Sequence, residues 1–166
     1  MGEGLIEILA NEWVVVVDTR EQRPWVFENI SRWTKQGPRK ILQPVVHKAL
    51  PSGDYSIEGH EDYIAIERKS GRDLLATLTR GRRRFERELT RLQSLPWSAV
   101  VVECEWSGLM ALCRETSRIT PLSVEGSLVA LAQRYPKTHW IMRPGRDAAE
   151  MTAWRALDRY WRDHGR

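Results

Sequence analysis

The chain of 166 residues has the length of one compact domain, enough to bury roughly two-thirds of the surface its unfolded form exposes, and its 26 Lys and Arg against 22 Asp and Glu leave a net charge of +4, which suits a polyanionic partner. The longest apolar run, Trp13 to Val17, is far short of the ~20 residues of a membrane span, and two cysteines, Cys104 and Cys113, are too few for a disulfide framework or a zinc site. No charged-then-apolar leader opens the chain, so a cytoplasmic protein with reduced thiols is expected, or a nuclear one if the source is eukaryotic.

No repeat, low-complexity tract or Pro/Ser-rich linker divides residues 1–166, which predicts a single domain with a core over about 14–142 and a last helix over about 147–163. In chain order, the β-branched run from Trp13 to Asp18 predicts a buried strand, followed by a short helix near Phe27 to Lys35. Ile41 to Lys48, Asp54 to Glu58 and Tyr63 to Lys69 read as strands, Arg72 to Thr79 and Arg82 to Leu95 as helices, and Ala99 to Glu103 as an apolar strand that ends in Glu103. A short helix near Ser107 to Cys113, a longer one from Pro121 to Arg134, a strand from Thr138 to Met142 and a final helix complete the pattern. Thr120 before Pro121 has the chemistry of a helix start, and Asp147 with Glu150 that of a capping box. The alternation predicts an α/β fold, a mixed central sheet flanked by helices.

The most informative stretch is GDYSIEGHEDYIAIERKSGRD, residues 53–73. Gly59 to Asp62 form a polar turn, and a hairpin symmetric about it pairs residues whose numbers sum to 121, which sets Asp54 opposite Glu67. Cross-strand partners have Cβ atoms roughly 5 Å apart on one face, and period-2 alternation adds Lys69 to that face while Tyr55, Ile57, Ile64 and Ile66 form the core side. Two adjacent carboxylates repel unless a cation lies between them, and Mg²⁺ typically takes one or two such groups while keeping several waters. With an ammonium beside them, this is equipment for phosphodiester hydrolysis. The competing reading is a surface ion-pair cluster.

A basic ridge follows in TRGRRRFERELTRLQSL, residues 79–95. Arg80, Arg84, Arg87 and Arg91 advance on one stripe while Phe85, Leu89 and Leu92 face the core; with Arg82 and Arg83 they are the candidate DNA-phosphate contacts. Trp13, Trp140, Trp154 and Trp161 stand at core-compatible positions, whereas Trp25 and Trp33 either close over DNA or form a subunit contact.

Gly53-Asp54, Glu67-Arg68-Lys69 and Asp73 together resemble the GD…ERKxxxD signature of the XPF-type structure-specific endonucleases, relatives of the archaeal Hef nuclease. Asp18-Thr19-Arg20-Glu21 resembles the family's D-x-R-E element, Gly81-Arg82 its helix start, and the VVVEC run at 100–104 its next strand. The likeness covers roughly Val14 to Met142, without the tandem helix-hairpin-helix repeats that follow in many members. It implies a restriction-endonuclease-like core, cleavage of DNA at branches, junctions or flaps with Mg²⁺ or Mn²⁺, and a homodimer or heterodimer formed through the nuclease domain. Carried over by position, Asp54 and Glu67 bind the metal, Lys69 serves the attacking water, Arg68 and Asp73 support the site, and Asp18, Arg20 and Glu21 line the neighbouring strand end. The alternatives are a catalytically silent DNA-binding scaffold partner and a restriction-type nuclease acting on plain duplex.

Overall fold

Apolar runs of alternating and continuous pattern build two sheets in the computed structural model, which describes residues 8–116 and 119–165. Ile8–Ala10 is β1 and Val15–Asp18 is β2, the latter buried at every residue. Ser31–Thr34 (β3) and Gly37–Leu42 (β4) form an antiparallel hairpin, and β1 pairs with β4 in parallel. Val45–Lys48 (β5), Tyr55–Ile57 (β6) and Ile64–Lys69 (β7) come next. Gly71–Thr79 (α1), Arg82–Leu92 (α2), Trp97–Val102 (β8), Trp106–Glu115 (α3), Pro121–Arg134 (α4), Thr138–Met142 (β9) and Arg146–His164 (α5) follow.

The larger sheet runs in the order β5-β2-β6-β7-β8-β9. β2 pairs with β5, β7 with β8 and β8 with β9 in parallel, while β6 is antiparallel to both β2 and β7. The expected mixed α/β sheet is therefore present. Its central strands are covered on both sides, so their residues divide by period 2 between two cores. Val15, Val17, Tyr55, Ile57, Ile64 and Ile66 pack towards Trp154 and Leu157 of α5, whereas Ala65, Val100 and Val102 pack towards Leu74, Leu78, Phe85 and Leu89 of α1 and α2. Full burial of side chains such as Leu89 and Leu92 stabilises by about 1.5–3 kcal/mol each, which holds α2 with its arginines outward. Because β2, β7 and β8 point the same way and β6 runs against them, the ends of those three strands and the start of β6 lie at one edge of the sheet.

Four expectations are corrected. Residues 27–35 hold a strand rather than a short helix: Phe27 turns the chain with φ 57°, and β3 then pairs with β4 while Arg32 reaches Asp158 of α5. The strand expected over 41–48 is two strands in different sheets, separated at Pro44, which has no N–H to continue a ladder; Gln43 fills the gap by donating to the Trp13 carbonyl at 2.9 Å. Trp25 is neither a DNA nor a subunit contact: it is buried, stacked on Tyr55 with centroids 4.6 Å apart. Finally, Asp147 and Glu150 make no capping box. Helix α5 starts after Gly145 without a side-chain cap, and the Glu150 carboxylate accepts from the Phe27 N–H instead. The Thr120 cap is present, accepting from the Ser123 N–H at 3.2 Å. Both cysteines are free thiols.

Candidate active site

The hairpin register is the one its symmetry requires, with Tyr55 paired to Ile66, so one step further Asp54 faces Glu67. Two hydrogen bonds fix that step: the Asp54 N–H donates to the Ile66 carbonyl at 2.8 Å, and the Arg68 N–H donates to Asp54 Oδ2 at 2.7 Å. The turn before Asp54 depends on glycine, because Gly53 has φ +71° and a Cβ there would stand 2.9 Å from the Ile66 carbonyl oxygen. On β7, alternation places Glu67 and Lys69 on the Asp54 side, and Lys69 Nζ donates to Glu67 Oε1 at 2.6 Å.

Electrostatics separate these groups from ordinary surface charge. Burial, followed by repulsion from Glu67, pushes the Asp54 carboxyl up to about 8. Burial also raises Glu67, partly offset by Lys69. Lys69 loses solvation, yet Glu67 and Asp54 hold its pKa above the ordinary lysine value, so it stays an ammonium. Two carboxylates thus face each other with less positive charge than they need. Asp54 Oδ1 and Glu67 Oε2 accept no hydrogen bond among the described residues, which leaves two hard oxygens for a divalent cation. No group of three or more His, Cys, Asp or Glu side chains forms a preformed metal site among the described residues. The free oxygens of Asp54 and Glu67 are of the kind that would suit a hard divalent cation keeping several waters, such as Mg²⁺ or Mn²⁺.

The remaining sequence-predicted residues surround this pair in structural roles. Arg68 is buried and bridges Glu21 at 3.2 Å and Glu103 at 2.8 Å. Burial opposes its charge, but the bonds to these two carboxylates outweigh that and raise its pKa. Asp18 lines the same cleft with both oxygens engaged: the Arg20 N–H and Nε donate to Oδ1 at 2.7 and 2.8 Å, while Arg20 Nη2 and the Leu50 N–H donate to Oδ2, each at 2.7 Å. Ser70 caps α1, its Oγ accepting from the Asp73 N–H at 3.1 Å and donating to Asp73 Oδ2 at 2.6 Å.

A cleft of about 1030 Å³ contains Asp18, Arg20, Glu21, Asp54, Glu67, Arg68, Lys69 and Asp73 together with Arg80, Arg84, Arg87 and Arg91. Gly81 breaks the helix between α1 and α2, yet Arg80 keeps its place on the basic wall. Arg82 and Arg83, expected as phosphate contacts, are outside that wall: Arg82 turns towards α4, donating to Glu86 at 3.0 Å and Ser127 at 3.1 Å, because it lies on the opposite flank of α2.

Two carboxylates were missed by sequence reasoning. Glu103 ties Arg68 to Trp25 and to Arg146 of α5; its position immediately after the buried β8 was the only local signal. Glu88 lines the cleft and accepts the Gly53 N–H at 2.8 Å. Its place four residues after Arg84, on the helical stripe of the basic wall, is what turns it to the cleft.

Comparison with known proteins agrees with this architecture. The sequence profile of the ERCC4 domain matches residues 17–153. XPF from Aeropyrum pernix superposes with a TM-score of 0.58 at 24% identity, over 88% of this chain and 60% of that one. XPF from Aeropyrum pernix in complex with DNA gives 0.62 at 24% identity, over 91% and 66%. The chain thus spans less than two-thirds of the length of these proteins. No curated relative matches. The chain belongs to the ERCC4 domain family and has the restriction-endonuclease-like fold of XPF.

Proposed function

We propose that the chain is a divalent-metal-dependent endodeoxyribonuclease, and the observation that carries this is the convergence of Asp54, Glu67 and Lys69 in a cleft walled by arginines. Asp54 and Glu67 would hold Mg²⁺ or Mn²⁺, which would supply Lewis-acid activation of water and of a phosphoryl oxygen when bound. Lys69, kept protonated and anchored by Glu67, orients the attacking water or stabilises charge on the phosphate oxygens. Arg80, Arg84, Arg87 and Arg91 hold the DNA backbone by contacts that position the strand without reading its sequence. Arg68 does not touch substrate in this scheme; it ties the end of β7 to the ends of β2 and β8 through Glu21 and Glu103. The substrate is DNA at a branch, flap or junction, in keeping with repair or recombination intermediates, and the active unit is a homodimer or a heterodimer formed through the nuclease domain. No helix among the described residues is long and apolar enough to cross a membrane.

The test is a panel of labelled flap, fork, junction and plain duplex DNA, with Mg²⁺, Mn²⁺ or EDTA. Metal-stimulated cutting of branched forms above duplex is expected, and Lys69→Ala is expected to remove turnover while sparing binding. Binding that survives EDTA with no product from any form would instead identify a silent DNA-binding partner, and cutting of plain duplex at one fixed sequence a restriction-type enzyme. Light scattering tests the assembly; a monomer mass at micromolar concentration overturns the homodimer.

A further inference from the structure

Glu88 belongs to the basic face of α2, where a carboxylate weakens phosphate binding, yet it projects into the cleft at the base of the Asp54 turn. Its Oε1 accepts the Gly53 N–H at 2.8 Å, and its Oε2 is engaged by Arg91. Gly53 is left-handed, and a Cβ on it would stand 2.9 Å from the Ile66 carbonyl oxygen, so the Ser52–Gly53 peptide held by Glu88 sets the direction in which the chain enters Asp54. Among the described residues, the Glu88 bond is the one that ties this turn to the helix carrying Arg84, Arg87 and Arg91; the other bonds fixing Asp54 come from β7 and from the Asp18 N–H at the end of β2. We infer that Glu88 is a positioning residue: it holds the Ser52–Gly53 peptide, and through it the turn into Asp54, so that Asp54 meets Glu67 at cation-sharing distance, and it joins the DNA-facing helix to the metal-holding turn. Glu88 is not itself a ligand in this arrangement, since both of its oxygens are already engaged. The inference rests on the metal-dependent reading above.

Outer partners that orient a metal ligand typically matter by 10–100-fold in metal affinity or activity. Glu88→Ala and Glu88→Gln separate the possible roles. The Gln amide oxygen still accepts the Gly53 N–H, so the structure predicts rescue by Gln of what Ala removes. The measurements are Mn²⁺ affinity without DNA, by calorimetry or by the electron paramagnetic resonance of free Mn²⁺, and the separation of kcat from KM on a cleavable flap. Glu88→Ala is expected to weaken Mn²⁺ binding about 10-fold or more and to lower kcat similarly, with affinity for DNA in Ca²⁺ equal to or above that of the wild type. Glu88→Gln should bind Mn²⁺ within about 3-fold of wild type.

If Gln is as poor as Ala, Glu88 is a direct ligand and the positioning role is overturned. If Ala binds Mn²⁺ like the wild type, Glu88 has no part in the metal site, while the nuclease reading stands. If the wild type itself neither binds Mn²⁺ nor cuts, both fall together. Circular dichroism on each variant separates a loss of fold from a loss of site.

Discussion

The ends of β2 and β7 each present a carboxylate cluster to the same cleft, but they are solvated by the protein in opposite ways. At the end of β2, Asp18 receives four donors from Arg20 and Leu50; burial works against its charge, and these bonds nevertheless hold its pKa below the ordinary value. At the end of β7, Asp54 and Glu67 share one N–H and one ammonium, and both are pushed upward. Supply of donors, not residue type, distinguishes a carboxylate that holds the fold together from one left short of positive charge.

The sharpest way to break that contrast is substitution at the poorly supplied end. Asp54→Asn and Glu67→Gln are expected to lower metal-dependent cleavage by about 10³-fold, while thermal unfolding without metal shows equal or higher stability because the repulsion is relieved. A large loss of stability with retained cutting would invert the assignment. At the well-supplied end, Asp18→Asn removes charge-assisted bonds to Arg20 and should cost about 1–3 kcal/mol of folding stability by urea denaturation. Its effect on cleavage should be smaller than that of Glu67→Gln.

The hairpin was legible in the sequence because its constraints are local. A polar turn, period-2 alternation and one buried face permit a single register, and Tyr55 duly pairs with Ile66. The apolar face of α2 was legible for the same reason. What escaped depends on partners distant in the chain. Residues 31–34 form a strand whose Arg32 is held by Asp158, 126 residues later, and Trp25 enters the core because Tyr55 and Glu103 receive it. Glu88 and Glu103 carry no local motif; their roles come from Gly53, 35 residues earlier, and from Arg68, also 35 residues earlier. The place of Arg82 against Glu86 and Ser127 was not legible, because composition alone does not say which flank of a basic helix faces the cleft.

A pH titration sharpens the comparison further. Asp54, raised from 3.8 to about 8, is protonated in the folded protein across a window where the unfolded chain has already ionised. Its contribution to stability is therefore full below about pH 4 and is lost as pH rises towards 8. Asp18, whose pKa is lowered, acts oppositely: its contribution is full above its ordinary value and is lost in acid. Metal-free protein should accordingly lose stability between pH 5 and 8, with a slope of up to about 1.4 kcal/mol per pH unit. Adding Mg²⁺ or introducing Asp54→Asn should flatten that slope, and a slope unchanged by either would mean that the two carboxylates do not share a charge deficit.

The smallest expected effects concern the two flanks of α2. Arg84 and Arg87 line the cleft without an ion pair among the described residues, whereas Arg82 is engaged by Glu86 and Ser127 outside it. Removing a phosphate contact weakens DNA binding by a few-fold and reduces the slope of log affinity against log salt by about 1. Arg84→Ala and Arg87→Ala should each do this in anisotropy titrations with EDTA, leaving kcat near wild type at saturating DNA. Arg82→Ala should leave the salt slope unchanged and cost no more than about 0.5 kcal/mol of stability, as for an exposed helical ion pair. Equal loss of slope on both flanks would mean that the duplex crosses α2 rather than lying along its cleft wall, and the backbone path assigned here would have to turn towards α4.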